Sequence, residues 1–218
     1  MPKTYTAAQT ELQRRFGVEA VATRMREIVI RSELADSDKA FIESRDLFFL
    51  ATVDAAGQPS CSYKGGAPGF VQVRSPVSIE FPLYNGNSMF LSAGNMAETG
   101  KVGMLFIDFD TPHRLRVEGS VEINGEPAAC ARWPGAELVA VATVSAVFVN
   151  CPRYIHRSQR VSASRYVPDA RGDAPLPAWK RIDAFQDVLP ATDGARVGEE
   201  GGPITLQEYR ARLVTGNG

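Results

Sequence analysis

Hydrophobic residues recur at helical spacing over the first forty positions of the chain. Leu12 and Phe16 lie four residues apart, which places both on one face of a first helix. A second run, at residues 18–29, keeps apolar side chains on one face and charged side chains on the other. Asp36 or Ser37 is a suitable cap for a third, short helix. The pattern therefore predicts a helical N-terminal extension over residues 1–40.

The apolar pattern changes at residue 47, where the spacing shortens and β-branched and aromatic residues become frequent. Asn, Gly and Pro clusters separate the apolar runs and predict turns. Six strands are predicted, at residues 47–53, 69–73, 88–92, 102–109, 114–123 and 138–150. Since few helical segments interrupt these strands, they indicate a six-stranded antiparallel sheet closed into a barrel, with flanking α-helices. We assign this β-barrel to residues 41–157.

The composition changes again near residue 158, after which Pro, Asp, Gly and Arg are abundant. Two apolar segments, at residues 179–189 and 204–213, predict short helices. The region holds too few apolar residues for a separate core. We therefore expect residues 158–218 to form a C-terminal extension that packs on the barrel or on a dimer partner.

Charge and hydropathy restrict the possible partners of the chain. Its 218 residues include 24 Lys plus Arg and 25 Asp plus Glu, so nothing in the net charge favours nucleic-acid binding. The 44% content of hydrophobic residues is typical of a globular protein. No apolar run reaches the about 18 residues of a membrane span, and the polar start of the chain does not resemble a secretion signal. We expect a cytoplasmic protein without nucleic-acid or membrane partners.

The reactive side chains do not form a known catalytic motif. Cys61, Cys130 and Cys151 lack metal-ligand spacing, and we expect them to be buried, reduced thiols. Of the two histidines, His113 is interpreted as a surface imidazole, and His156 has no partner at metal-ligand spacing. The glycine motifs of dinucleotide-binding and phosphate-binding loops are absent. If the protein is an enzyme, a bound cofactor is therefore expected to carry the chemistry.

Two segments combine glycine with polar side chains. Residues 57–71 bring hydroxyl, ammonium and unobstructed backbone N–H groups together, which suits a phosphorylated or aromatic ligand. The alternative is that these glycines only turn the chain and that Lys64 is solvated. Residues 81–95 predict a hairpin, a short strand and a Gly-Asn corner. Together, the two segments favour a ligand site.

Four motifs in these segments and beyond them occur in a characteristic order. They are Gly-Gly-x-Pro-Gly-Phe at 65–70, Phe-Pro-x-x-x-Gly-Asn at 81–87, Gly-Asn at 94–95 and Asn-Cys-Pro-Arg-Tyr-Ile at 150–155. In this order they resemble the pyridoxamine 5'-phosphate oxidase-like family of FMN-binding split barrels. The resemblance implies a homodimer of six-stranded split barrels, with two FMN molecules at the subunit interface.

The resemblance also implies which residues contact FMN. They belong to the strand after the first hairpin, to a second contact strand with its corner, to the following strand, and to the Asn-Cys-Pro loop, which is interpreted as lining the neighbouring subunit's flavin. The expected cofactor-binding residues are Ser62, Tyr63, Lys64, Gly65, Leu91, Ser92, Asn95, Arg114, Arg153 and Tyr154. No catalytic acid or base is assigned.

The chain departs from the vitamin B6 oxidases of this family at the phosphate site. Those enzymes carry an Arg-Lys pair after the second contact strand, where this chain has Asn-Met-Ala-Glu at 95–98. The charge that binds the phosphate must then come from elsewhere, and the candidates are Lys64, Lys101, Arg114 and Arg116. Trp179 lies in a Pro-rich tail and does not match the substrate-binding tryptophan of those oxidases.

Two functions follow from this resemblance. The first is an FMN-dependent oxidoreductase that is not a true vitamin B6 oxidase and that uses a small-molecule electron donor or acceptor. The second is a non-catalytic protein that binds or stores flavin or haem in the same kind of pocket.

Overall fold

The computed structural model describes residues 4–215 of the chain. The chain divides into two compact units. The first comprises the residues up to Ala163 together with Ala170–Gly172, and the second comprises Ser164–Asp169 and the residues from Asp173 onward. The outermost parts of the two predicted extensions, residues 1–3 and 216–218, lie outside the described residues. The domain boundaries drawn from the sequence stay predictions.

Three helices precede the sheet in the first unit, as the apolar spacing predicted. They are α1 (Ala7–Arg15), α2 (Glu19–Val29) and α3 (Asp36–Glu43). A capping box starts α1: the Thr6 hydroxyl accepts from the Gln9 backbone N–H at 3.3 Å, and the Gln9 side chain accepts from the Thr6 N–H at 2.9 Å. These reciprocal hydrogen bonds satisfy N–H groups that a helix start otherwise leaves unpaired.

A seven-stranded antiparallel sheet follows the helices. Its strands are β1 (Leu47–Val53), β2 (Pro59–Gly65), β3 (Gln72–Ser75), β4 (Ser78–Tyr84), β5 (Lys101–Asp108), β6 (His113–Asn124) and β7 (Ala136–Val149). Neighbouring strands pair in the order β2-β1-β5-β6-β7-β4-β3. The edge strands β2 and β3 do not pair with each other, so the sheet is open. The architecture is a split barrel with flanking helices, and the prediction of a closed sheet was wrong.

The strand count also differs from the prediction: β2 and β4 were not among the six predicted strands, and the segment predicted as a strand at 88–92 is a loop followed by a helix, α4 (Leu91–Thr99). Ser88 and Phe90 adopt left-handed conformations, with φ of 63° and 51°, which interrupt an extended chain. Met96 then buries its side chain completely against the sheet. Packing of α4 through Met96 therefore outweighs the local β preference of the segment.

An aromatic cluster occupies the centre of the sheet's inner face. Phe48 is fully buried and lies 5.1 Å from the ring centroids of both Phe81 and Phe106, and 5.9 Å from that of Phe70. Strands β1, β4 and β5 and the loop before β3 each supply one of these rings. The cluster thus joins strands that are distant in the chain.

A half-buried carboxylate links strands β3 and β4 to the segment before β7, which includes the short helix α5 (Pro127–Cys130). Glu80 accepts hydrogen bonds from Arg74 at 2.7 Å and from Arg132 at 2.6 Å. Burial alone would raise the pKa of Glu80, but the hydrogen bonds and charges of the two arginines outweigh burial and lower it. Both guanidinium groups also approach the ring of buried Trp133.

We expect this carboxylate to contribute to acid sensitivity. Because the folded pKa of Glu80 is lowered, its stabilisation is present above the ordinary glutamate pKa of about 4.3 and is lost as the pH falls through the folded value. Glu80→Gln should therefore lose on the order of 1 kcal/mol at neutral pH and show a smaller loss of unfolding free energy on acidification. Urea unfolding between neutral and acidic pH measures both effects. Exposed Glu122→Gln is the control, and equal pH profiles for Glu80→Gln and wild type would contradict this account.

The second unit contains two 3-10 helices, Ala178–Arg181 and Asp183–Phe185, and the helices α6 (Ala191–Glu199) and α7 (Leu206–Val214). The helix predicted at 179–189 is thus replaced by 3-10 turns, because Asp183 N–H donates to the carbonyl of Ile204 and a short parallel bridge forms there. The helix predicted at 204–213 is confirmed.

The burial expected for the three cysteines is not observed. All three are free thiols, but Cys61 and Cys151 are exposed and Cys130 is half-buried, so the expected burial was wrong. Strand alternation explains the exposure of Cys61, because its neighbours Ser60 and Ser62 lie on the inner face of β2.

None of the helices within residues 4–215 has the length and apolar character needed to cross a membrane.

Candidate functional site

A cleft lies where the sheet is open, beside the edge strand β2. We call it the edge cleft, and it encloses about 400 Å³. Strand β2, the ends of β4 and of the loop after it, the start of α4 and the start of β7 form its walls. Its lining residues are Ser60, Cys61, Ser62, Lys64, Leu83, Tyr84, Gly86, Asn87, Ser88, Phe90, Leu91, Ser92, Ala93, Glu137 and Leu138. This volume falls within the range typical of cofactor sites, about 300–1,000 Å³.

The β1–β2 hairpin positions the polar wall of the edge cleft. Asp54 accepts from Gly57 and from Gln58 in the turn, which fixes the register of the hairpin. In that register Ser62 pairs with Leu50 and Lys64 pairs with Phe48. Since Leu50 and Phe48 lie in the core, Ser62 and Lys64 are on the inner face of β2.

Three polar side chains from β2 and α4 meet in the edge cleft. The hydroxyl oxygens of Ser62 and Ser92 lie 3.1 Å apart, and Lys64 Nζ donates to Ser92 Oγ at 3.4 Å. Burial lowers the pKa of Lys64. Within residues 4–215 Lys64 forms no ion pair. The cleft therefore holds a partly desolvated cation that is not paired with Glu137, the carboxylate of the lining, which accepts a hydrogen bond from Asn85.

The N-terminus of α4 opens into the same cleft. Its first three residues, Leu91, Ser92 and Ala93, all line the cleft, and no side chain within residues 4–215 caps the helix. The first N–H groups of a helix have no partner within the helix, and the helix dipole places partial positive charge there. These N–H groups and the Lys64 ammonium thus form one positive end of the cleft.

The rest of the lining is more apolar, and we call it the apolar wall. It comprises Leu83, Phe90 and Leu138, and Tyr84 adds an aromatic ring with a phenol. Burial raises the pKa of the Tyr84 phenol, which keeps it protonated and able to donate a hydrogen bond. The edge cleft therefore has an anion-binding end and an apolar wall.

The structure brings four of the ten predicted site residues into the edge cleft: Ser62, Lys64, Leu91 and Ser92. Leu91 and Ser92 reach it from a helix and not from the predicted second contact strand.

Three further predicted residues lie beside the edge cleft. Tyr63 is exposed on the outer face of β2, and its ring lies over Gly65, where an added Cβ would come within 2.8 Å of it. Asn95 faces β1 and donates to the Thr52 hydroxyl at 3.1 Å.

The other three predicted residues lie outside the edge cleft. Arg114 and Arg153 approach each other at Cys151: hydrogen bonds from Arg153, followed by the charges of both arginines, lower the pKa of that thiol. Arg114 Nε and Asn150 Oδ1 are buried and have no hydrogen-bond partner among residues 4–215. Tyr154 is 91% exposed and has a left-handed φ of 71°. We call this second group the arginine loop, comprising Arg114 and residues 150–154.

The remaining phosphate candidates are also separate from the cleft. Lys101 is exposed at the start of β5, and Arg116 is exposed on β6 opposite Leu105. His113, interpreted as a surface imidazole, is half-buried and packs edge-on against Phe41 at 4.5 Å. Of the four candidate cations, only Lys64 lines the edge cleft.

Sequence reasoning did not assign Tyr84 or Glu137 to the site. Tyr84 pairs with Ala136 across β4 and β7, which brings Glu137 to the rim, where it accepts a hydrogen bond from Asn85 at 2.6 Å. Because this contact depends on the pairing of segments 52 residues apart, no local signal indicated it. The motif at 81–87 was the one available signal for Tyr84.

Comparisons with known proteins identify related structures. One is HupZ from Group A Streptococcus, with 20% identity over 58% of this chain and 99% of that one, and a TM-score of 0.45. An FMN-binding protein from Syntrophomonas wolfei has 13% identity over 64% and 97% of the two chains, with a TM-score of 0.44. The heme storage protein HutZ from Vibrio cholerae has 18% identity over 54% and 94%, with a TM-score of 0.39. These similarities are too weak to support a functional argument.

Family membership rests on a sequence match. No curated protein matches the chain. The sequence model of the pyridoxamine 5'-phosphate oxidase family matches residues 34–146, which is just over half of the chain and includes β1–β6 and most of β7. This chain belongs to the pyridoxamine 5'-phosphate oxidase family.

Proposed function

We propose that the protein is an FMN-dependent oxidoreductase that binds FMN in the edge cleft and acts as a homodimer. The observation that carries the proposal is the positive end of the cleft, where the Lys64 ammonium and the uncapped start of α4 meet. FMN supplies two-electron redox chemistry when it is bound. The protein's own residues bind and orient it.

The phosphate of FMN fits the positive end of the edge cleft. A helix N-terminus and a lysine ammonium are both common phosphate-binding groups in proteins. Ser62 and Ser92 add hydroxyl groups at the same point. An anion there would also offset the desolvation that lowers the pKa of Lys64. This arrangement replaces the Arg-Lys pair of the vitamin B6 oxidases.

The flat ring of FMN fits the apolar wall. Leu83 and Leu138 offer aliphatic contacts, Phe90 offers an aromatic ring, and the Tyr84 phenol can donate a hydrogen bond to a ring oxygen or nitrogen. Phe90 holds a left-handed conformation, and strained backbone of this kind is common at binding sites.

The homodimer is proposed because the arginine loop is incomplete within one chain. In the described part of the chain, Arg114 Nε and Asn150 Oδ1 lack hydrogen-bond partners, and the Tyr154 side chain is exposed. Buried polar groups without partners are costly, and a ligand or partner at the loop can satisfy them. We infer that the loop of one protomer completes the flavin site of its partner.

Uptake of FMN tests the first part of the proposal. The purified protein, incubated with FMN and then desalted, is expected to be yellow with about one FMN per chain, and isothermal titration should show saturable binding. Riboflavin, which lacks the phosphate, is the matched control and should bind more weakly. A colourless protein that takes up no FMN would overturn the proposal.

Turnover separates an oxidoreductase from a storage protein. The FMN-loaded protein is expected to be reduced by a nicotinamide donor and reoxidised by an added acceptor over many cycles in a steady-state assay. Binding of FMN without turnover for any donor and acceptor pair would favour flavin storage. An absorbance spectrum typical of haem in the purified protein would favour haem storage.

Mixed dimers test the shared site. Lys64→Gln and Arg153→Gln homodimers should each bind FMN weakly, because each lacks one part of both sites. A mixed dimer of the two variants regains one complete site, so tight binding of about one FMN per two chains is expected. No gain in binding on mixing, or unchanged binding by Arg153→Gln, would contradict the shared site.

A further inference from the structure

The second unit contains a cleft that the proposed flavin site does not use. It encloses about 450 Å³ between the segment Ser164–Asp169, the first 3-10 helix and the ends of α6 and α7. Its lining residues are Arg165, Leu176, Ala178, Arg181, Glu200, Arg212 and Thr215. Since three of these seven residues are arginines, we call it the arginine cleft.

Buried and hydrogen-bonded residues form the base of the arginine cleft. Leu176 and Ala178 are buried, with 2% and 5% of their surface exposed. Arg181 is held by two hydrogen bonds: its Nε donates to the carbonyl of Gly202 at 2.9 Å, and its own carbonyl accepts from Ile204 N–H at 2.7 Å. The remaining N–H groups of the Arg181 guanidinium stay available for a ligand.

The charges of the arginine cleft are only partly offset by nearby carboxylates. Within the described part of the chain, Arg165, Arg181 and Arg212 form no ion pair. Arg165 stacks on the ring of Tyr166, with its guanidinium carbon 5.1 Å from the ring centroid. Among the lining residues, Glu200 is the one carboxylate that opposes them.

The charges of Arg181 and Arg212 both act on a neighbouring carboxylate, that of Glu208. The pKa of Glu208 on α7 is lowered, chiefly by hydrogen bonds from Thr205 and further by the charges of Arg212 and Arg181. Glu208 already accepts from the Thr205 backbone and hydroxyl, which engages its carboxylate in capping the helix. Arg181 and Arg212 thus both act on Glu208 and also line the same cleft.

We propose that the arginine cleft is a second ligand site, which binds a small molecule through a phosphate or diphosphate group. Guanidinium groups bind phosphate oxygens in pairs of parallel hydrogen bonds, and three of them suit a group with more than one negative charge. Glu200 at the rim can accept hydrogen bonds from hydroxyl groups of the same ligand. This inference is independent of the proposed FMN site.

Titration of the full-length protein with inorganic pyrophosphate tests the inference. Isothermal titration is expected to show binding at a site that is weakened about tenfold or more in Arg165→Gln and in Arg212→Gln. Arg165 is exposed, so its substitution leaves the fold intact, and circular dichroism checks both variants. Arg210→Gln, an exposed arginine on α7 outside the cleft, is the matched control and should bind like wild type.

A further variant separates this site from the edge cleft. Lys64→Gln should keep the pyrophosphate affinity of the arginine cleft, whether or not the protein binds FMN. No binding at millimolar pyrophosphate would overturn the inference. Binding that is lost in Lys64→Gln but kept in Arg165→Gln and Arg212→Gln would also overturn it, because the anion would then lie in the edge cleft.

Discussion

Lys64→Gln is expected to weaken FMN binding about ten- to a hundredfold, because it removes a charge-assisted hydrogen bond from the phosphate. In the structure Lys64 Nζ lies 3.4 Å from Ser92 Oγ at the start of α4, so one substitution removes the only side-chain cation of the edge cleft lining. Flavin fluorescence titration measures the change. Lys101→Gln is the control, because Lys101 is exposed and lies outside the cleft.

Lys64→Gln is expected to stabilise the ligand-free protein, although it weakens FMN binding. Burial lowers the pKa of Lys64, so folding disfavours its charged form. The wild type therefore gains stability as the pH rises from the folded pKa of Lys64 towards the higher unfolded value. Lys64→Gln lacks this rise and is expected to unfold at a higher temperature than wild type at neutral pH without FMN. In the fluorescence titration described above, an FMN affinity of Lys64→Gln equal to that of wild type would contradict the role of Lys64 in phosphate binding.

Phe48→Ala is expected to lower the free energy of unfolding by about 3–5 kcal/mol, the usual cost of removing a large aromatic ring from a core. Phe48 has no exposed surface, and its ring contacts those of Phe70, Phe81 and Phe106. These rings come from segments that are distant in the chain, so the cavity would loosen several strands at once. Urea unfolding measures the loss.

Phe16→Ala is the matched control for Phe48→Ala. Phe16 follows α1 and is 71% exposed, so we expect its loss to change stability by about 0.5 kcal/mol or less. Phe48→Leu should recover part of the loss, because leucine fills part of the volume. A loss below about 1 kcal/mol for Phe48→Ala would show that the aromatic cluster is not the centre of the core.

The strands in which buried and exposed side chains alternate clearly were predictable from the sequence. Strands β1, β5, β6 and β7 lie within one or two residues of their predicted bounds, because each buries every second side chain over most of its length. Although the family resemblance implied a contact strand after the first hairpin, strand β2 was not among the six strands predicted from the apolar pattern. Its residues are mostly polar, since its inner face lines a cleft and its outer face is exposed, so the strand lacks an apolar pattern.

The second contact strand, predicted at residues 88–92, is not observed, because the local sequence pattern there was also misleading. Residues 88–92 contain apolar side chains that suggest a strand, but Met89, Phe90 and Leu91 are all exposed. Two left-handed residues, Ser88 and Phe90, turn the chain, and α4 is then fixed by the burial of Met96. Local propensity is weak enough that such tertiary packing overrides it.

The sequence by itself determined the three N-terminal helices, the four alternating strands and the motifs that carry the family resemblance, since spacing and turn chemistry act over a few residues. Only the tertiary structure decided that the sheet stays open and that Lys64, the start of α4 and Tyr84 share one cleft. These contacts depend on strand register between distant segments, and a shift of one residue would turn each side chain to the other face. The anion-binding end of the cleft is therefore a product of the fold.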